Sequence, residues 1–361
     1  MSNSNLNYTS TTDFANGVPN FAIDNKITDG GYGNEENKWN NPNASKYYGY
    51  FYNVGEFRSA IKSYAIHVLG LGYDAEPTIK VILDLISGNG KETFWSMMYN
   101  HLHCKKFNGD AFTQIIRAEP TKKFSEGRLI NLKSLDPRRV TTITNKQGQI
   151  IRYDYSQGNG NIKSLKPSEV LHSMNNRTLD EPHGNSETSS VEWVIEALQE
   201  AERDWRRLMH YSSVRVLYID ESDTARLTKL KTELANGIKN GNVLLLTCKP
   251  EEAKFEDLTV PPADAFVRYL NYLEGKFYSQ LGISKVSIGG TTENNTEASA
   301  KVNMVITEPV WIKEITELEE DLKSQVGIEI KIKRSPSLMD NMQTDQIANT
   351  GQNKLQFQGG Q

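Results

Sequence analysis

Few side chains in this sequence have a type and spacing that could do chemistry. The best metal candidate is His101-Leu102-His103-Cys104. A structural zinc needs four N or S donors. On a helix His101 and His103 point to different faces, and no second cluster supplies the missing ligands. A structural or solvent-facing role is expected there, with no metal and no cofactor. His172 sits in a strand pattern, Val170-Leu171-His172, and reads as a structural histidine with its hydrogen bonds satisfied. His183 and His210 have no carboxylate at catalytic spacing. The phosphate-binding G-x-x-x-x-G-K-[ST] loop, the G-x-G-x-x-G fingerprint and the G-x-S-x-G elbow are absent. No catalytic residue is assigned, and a non-enzymatic role is expected.

The charged groups say more. Asp136-Pro137-Arg138-Arg139 reads as an exposed turn carrying two cations, with a phosphate or subunit contact as the sharper reading. Glu317, Glu319, Glu320 and Asp321 form an acidic run that reads as a solvated helix face. Lys285 precedes Thr291, Thr292, Asn294 and Asn295 in a Gly-, Thr- and Asn-rich loop between two long helices. One lysine makes a trivial site. Repeated around a symmetric ring it becomes a ring of positive charge that could touch DNA of any sequence through its phosphates. On a single chain a structural role is the simpler reading.

The elements that would position these groups follow from periodicity. Residues 1–45 are rich in Asn, Ser, Thr, Gly and Asp and read as a disordered arm. An aromatic cluster follows at Tyr47, Tyr48, Tyr50, Phe51 and Tyr52. Phe57, Ala60, Ile61, Tyr64, Ala65 and Val68 then recur at helical spacing. Further helices are expected at about Pro77–Ile86 and Glu92–Lys105. The period next changes to two. Strands are expected at Ala111–Arg117, Leu129–Leu132, Val140–Thr144, Ile150–Tyr155 and Glu169–Met174. Helices followed by short antiparallel strands suggest an α+β domain ending near residue 188.

The second half is organised differently. Ser189-Ser190-Val191-Glu192 has capping-box spacing and opens a helix to about Tyr211. A βαβ-like insert follows, with strands at Val214–Ile219 and Val243–Thr247 around a helix at Asp223–Asn240. The next helix carries Phe266, Leu270, Leu273, Phe277 and Leu281. After the loop at residues 283–297 comes a long helix striped with Trp311, Ile315, Leu318 and Leu322. Pro309 lies in its middle, where a kink is expected. A strand at Ile328–Ile332 precedes a Gln- and Asn-rich tail.

Composition bounds the function classes. The chain has 361 residues, enough for two or three domains at about 150 each. Lys and Arg total 41 against 45 Asp and Glu, for a net charge of −4. That excludes a simple basic nucleic-acid-coating protein. Two isolated cysteines, Cys104 and Cys248, make no disulfide framework, so a reducing compartment is the default. The first residues have no basic or apolar signal region, so no signal peptide is expected. Apolar runs are short, Val243-Leu244-Leu245-Leu246 being one, whereas a membrane helix needs about 20 residues.

The order of segments resembles the portal protein family of tailed double-stranded DNA viruses. Asn108-Gly109-Asp110-Ala111-Phe112 looks like the family's NG-[ND]-A-[YF] strand. Leu135-Asp136-Pro137-Arg138-Arg139-Val140 is similar to its L-x-P-x-x-V turn. Lys166-Pro167-Ser168-Glu169-Val170-Leu171-His172 is similar to its P-E-D-V-L-H segment. Gly184-Asn185-Ser186 before a long helix looks like its G-x-S motif. Leu281-Gly282-Ile283, a Gly-rich loop, Thr296-Glu297-Ala298 and a helix holding Glu308-Pro309 look like its C-terminal core. The resemblance covers about Val54 to Ile332. No apolar residue directly follows Ser186, and Ile283-Ser284-Lys285-Val286 lacks the proline pair of some relatives.

The resemblance implies an α+β portal-like subunit of a ring oligomer, a dodecamer in the family. It implies a wing at 46–188, stem helices at 189–212 and 262–282, and a small βαβ clip at 213–261. It also implies a tunnel loop at 283–297 and a wing helix and strand at 298–334, followed by a flexible tail at 335–361. Arg215, Arg226, Lys229, Lys231 and Lys239 would serve clip docking. Lys285, Thr291, Thr292, Asn294 and Asn295 would face DNA. The clip region 213–250 has six basic and four acidic residues, a mixture that suits protein docking. Implied partners are double-stranded DNA, the terminase motor, the major capsid protein and a head–tail adaptor, with no membrane. The implied place is a capsid vertex of the virion, after assembly in host cytoplasm. A metal-dependent nucleic-acid-processing enzyme, using Glu and His residues of the first domain, is the alternative. A smaller head–tail adaptor is a third reading, against which the stem-like helix pair argues.

Overall fold

The computed structural model describes residues 36–120, 127–210, 215–219, 253–257, 263–283, 285 and 297–334, with isolated positions 225, 228, 229 and 232. Helices α1 (Ala44–Asn53), α2 (Gly55–Leu69), α3 (Pro77–Asp84) and α4 (Phe94–Asn108) come first. The stripe from Phe57 to Val68 is buried along α2, as its spacing requires. A reciprocal capping box starts α4. Ser96 N–H donates to Thr93 Oγ1 at 3.2 Å, and Thr93 N–H donates to Ser96 Oγ at 3.0 Å.

Two antiparallel sheets follow. One has the order β4-β3-β8, with β3 (Asp110–Arg117) between β4 (Leu129–Leu135) and β8 (Val170–Met174). The other has the order β1-β5-β6-β7, from β1 (Asn37–Trp39), β5 (Val140–Thr144), β6 (Ile150–Gly158) and β7 (Asn161–Leu165). Phe112, Leu135, Val140, Tyr153, Leu165 and Val170 form a small core of their own where the two sheets meet.

The main core lies under the helices. α7 (Glu297–Asp321) runs unbroken through Pro309, and its stripe Trp311, Ile315, Leu318 and Leu322 is buried. It packs against α2, together with Val191, Val194 and Ile195 of α5 (Glu187–His210) and Phe277 of α6 (Ala263–Gln280). Fully buried side chains such as Phe57, Leu69, Met97 and Leu132 each contribute about 1.5–3 kcal/mol. A π-turn, Leu322–Val326, ends α7. The last described strand, β11 (Ile330–Ile332), pairs antiparallel with β2 (Tyr73–Ala75).

Several expectations need correction. The arm expected through residue 45 is structured from Asn37 onward. There β1 pairs with β5, and Glu36 binds Arg152 at 2.5 Å. Within the insert expected as βαβ, the described residues include an antiparallel pair that the sequence did not suggest. β9 (Arg215–Ile219) aligns with β10 (Ala253–Asp257), Ala253 opposite Ile219 and Asp257 opposite Arg215. The strand expected at 243–247 lies outside the described residues. β10 was hidden by its charge, Ala-Lys-Phe-Glu-Asp having a single large apolar residue.

The capping box placed at Ser189 is also displaced. α5 begins at Glu187, and Ser186 Oγ accepts from Thr188 N–H at 3.0 Å. The acidic run on α7 is not a solvated face, because only Glu320 is exposed. Glu317 accepts from Lys105 at 2.9 Å, and Glu319 accepts from the Ile332 N–H at 2.8 Å. Asp321 accepts from Ser173 Oγ at 2.5 Å. Among the described residues no helix is long and apolar enough to cross a membrane.

Candidate functional site

Three of the quoted segments converge on one joint, the end of α4, the start of β3 and the start of α5. Gly109 has φ +93°, a conformation L side chains rarely adopt. Gly184 presses against it: a Cβ there would lie 2.3 Å from the Gly109 carbonyl oxygen and 2.5 Å from the Asn175 nitrogen. Asp110 Oδ1 accepts from the Gly184 N–H and from His172 Nε2, each at 2.9 Å. Asp110 is an acceptor, so His172 Nε2 carries the proton and Nδ1 faces the Tyr153 hydroxyl at 3.0 Å. Phe112 stacks on the His172 ring at 4.4 Å. Ser186 Oγ and Thr188 Oγ1 both donate to the Phe107 carbonyl, at 2.6 and 2.7 Å. These residues tie the start of the long helix α5 to the end of α4. His172 is the structural histidine the sequence suggested.

A second polar cluster ties α4 to α7. Lys105 Nζ donates to Glu314 at 2.5 Å, and Lys106 pairs with the other Glu314 oxygen at 2.8 Å. Tyr64 O–H donates to Glu314 at 3.1 Å, and Lys106 also donates to Asn175 at 2.9 Å. Burial opposes ionisation of Glu314, yet Lys106 and Lys105 outweigh it and hold the carboxyl at about 2. Beside this cluster a cavity of about 250 Å³ opens toward Leu281, Gly282 and Ile283, where α6 leads into the loop.

In the His101–Cys104 group, His101 is buried and His103 and Cys104 are half-buried. His101 Nδ1 meets Thr113 Oγ1 at 2.9 Å. Burial pushes its ring down to about 3, His103 down to about 4, and the Cys104 thiol up to about 12. Among the described residues no three His, Cys, Asp or Glu side chains converge as a metal site. His183 stacks on Trp39 at 4.0 Å. Arg138 is held by Asp136 at 2.7 Å and lies 4.3 Å over the Tyr48 ring.

The antiparallel helices α5 and α6 pack side by side, with Trp205 stacked on Phe266 at 4.9 Å. Trp205 is half-buried, less enclosed than its place in the helical stripe suggests. Lys285 is half-buried beyond α6 and ion-paired with Glu274, so its positive charge is partly spent within the chain. Thr291, Thr292, Asn294 and Asn295 lie outside the described residues. So do Arg226, Lys231 and Lys239. Arg215 stands at the end of β9, and Lys229 is exposed and helical. The signals that reasoning from sequence missed are Lys105, Lys106 and Glu314. Their partnership spans 209 residues and leaves no local trace.

No protein-family model matches the sequence, and no curated protein matches it. Solved structures do. A chain from the virion of a native gene transfer agent particle aligns with TM-score 0.58 and 16% identity, covering 87% of this chain and 90% of that one. A chain from the neck of that native particle, computed with C12 symmetry, gives 0.57 and 15% over the same shares. An HK97-family phage portal protein from Corynebacterium diphtheriae gives 0.53 and 12%, covering 76% of this chain and 92% of that one. At these identities the likeness is one of fold. The chain has the mixed helix-and-sheet fold found in a phage portal protein and in gene transfer agent particles.

Proposed function

We propose that this chain is a portal protein. It forms a ring at one vertex of a capsid, conducts double-stranded DNA during packaging and ejection, and plays a structural, non-enzymatic part. The observation that carries the reading is the fold likeness across 87% of the chain to a particle whose neck was computed with C12 symmetry. The segment order in the sequence supports it independently.

In this reading the two sheets, α1 to α4 and α7 are the wing. α5 and α6 are the stem, a pair long enough to line part of a channel: 24 residues at 1.5 Å each give about 36 Å for α5. The β9–β10 pair belongs to the clip, which docks the terminase motor and later a head–tail adaptor. Residues 283–297 are the tunnel loop. A two-stranded clip is too small to be stable alone, so neighbouring subunits would complete it.

Mass photometry and negative-stain microscopy of the full chain test the reading. A closed ring of about twelve subunits is expected. A persistent monomer at micromolar concentration, with or without a scaffolding partner, would overturn it. Deleting residues 286–296 should leave ring assembly intact and impair DNA packaging per ring. The opposite pattern would remove the tunnel-loop assignment.

A further inference from the structure

We infer that the two opposite flanks of the α5–α6 pair are the two halves of one subunit–subunit interface, an acidic groove on one copy receiving an aromatic, cationic ridge of the next. This rests on the ring reading above and says which surfaces would close the ring.

The ridge is made by Trp193, Tyr269, Tyr272 and Lys276. The Lys276 ammonium lies 4.2 Å from the Trp193 ring centre and 6.0 Å from that of Tyr272. Four large aromatic side chains are exposed among the described residues, and three are here: Trp193 at 46%, Tyr269 at 47% and Tyr272 at 59%. Exposed Trp and Tyr beside a cation are the side chains that dominate binding at protein interfaces. Arg268, on the same helix, is exposed as well.

The groove lies on the other flank. Its volume is about 340 Å³, its floor is Val54, Ile195 and Phe277, and its rim is Glu56, Glu202 and Glu274. Lys285 offsets Glu274, which leaves Glu56 and Glu202, both exposed, as net negative charge. An apolar floor with an acidic rim fits an aromatic side chain flanked by a cation.

Helical geometry separates the two surfaces. Lys276 follows Glu274 by two residues, and Ile195 follows Trp193 by two. Each step is about 200° round its helix. Ridge and groove therefore cannot meet within one chain. Two different, complementary patches on opposite sides of one subunit make a head-to-tail contact, which closes into a ring when the rotation between copies permits. A second copy is the occupant that this charge complementarity selects.

Charge reversal in the full chain tests the pairing. Lys276→Glu should lower the ring population by about tenfold at the concentration where the wild type is half assembled, with the thermal midpoint of the monomer unchanged. Adding Glu202→Lys and Glu56→Lys to that variant should restore rings. As a second measurement, Tyr272→Cys combined with Gln199→Cys, a groove residue, should give a ladder of covalent multimers on oxidation, and neither single variant should. If reversal disturbs folding, the cysteine pair decides alone. Wild-type rings that are insensitive to Lys276→Glu and give no ladder would overturn this interface and leave the ring reading standing. A wild type that never forms a ring would overturn both.

Discussion

The joint between α4, β3 and α5 and the flanks of the α5–α6 pair treat their polar groups in opposite ways. At the joint and the neighbouring Glu314 cluster, charges turn inward. Lys105 and Lys106 are buried and matched by Glu314, while Asp110 holds His172 and a backbone N–H. On the helix pair, Trp193, Tyr269 and Tyr272 face solvent, and Glu56 and Glu202 rim an open groove. The first region is closed within the chain. The second presents aromatic and charged side chains to solvent. Under the proposed ring interface, stability of the fold and capacity for assembly are carried by different residues, and substitutions should separate them.

The largest effect is expected from Glu314→Ala, which takes the close carboxylate from buried Lys106 and leaves buried Lys105 with Glu317 alone. It should lower unfolding free energy by about 3–5 kcal/mol in a denaturant titration. A loss below 1 kcal/mol would dissolve the contrast, since the cluster would then be decoration. Acid comes next. The folded carboxyl of Glu314 is held at about 2, below its ordinary 4.5, so its stabilisation is full above about pH 5 and is lost as pH falls toward 2. The span corresponds to about 3 kcal/mol. Burial holds Asp321 above the usual carboxylate range and works in the opposite sense, blunting the slope. Unfolding curves between pH 6 and 2.5 should show the fall, and Glu314→Ala should flatten it. The smallest effect is Trp205→Ala. That side chain is half-buried against Phe266, so about 1–2 kcal/mol is expected. A loss near 4 kcal/mol would mean the helix pair is as internally committed as the joint.

Periodicity made the helices legible. The α2 stripe and the α7 stripe from Trp311 to Leu322 are buried as their spacing implied. The segments Asn108–Phe112, Lys166–His172 and Gly184–Ser186 stood out in sequence, and the structure shows why. They meet at one tight joint where Gly184 admits no side chain. Other parts left too little pattern to read. β2 and β11 have three residues each, less than two full alternations. β7 is exposed at every position except Leu165, so no apolar face announced it. The acidic run on α7 looked solvated because its counter-ions, Lys105 and Lys331, come from other parts of the chain. The pairing of Lys285 with Glu274, eleven residues earlier on α6, also left no mark in the sequence.

The pairing of β2 with β11 bears on how the chain is made. Tyr73–Ala75 emerges early and waits for Ile330–Ile332, and Tyr64 waits 250 residues for Glu314. At about 5–20 residues per second on the ribosome, that delay is roughly 13–50 s. Through it the apolar faces of α2 and α4 have no α7 to cover them, while α5, the β9–β10 pair and α6 can already form. The nascent α2 and α4 are therefore the stretch that a holding chaperone would meet. Protease protection of ribosome-stalled chains should appear there only after residue 332 has left the exit tunnel.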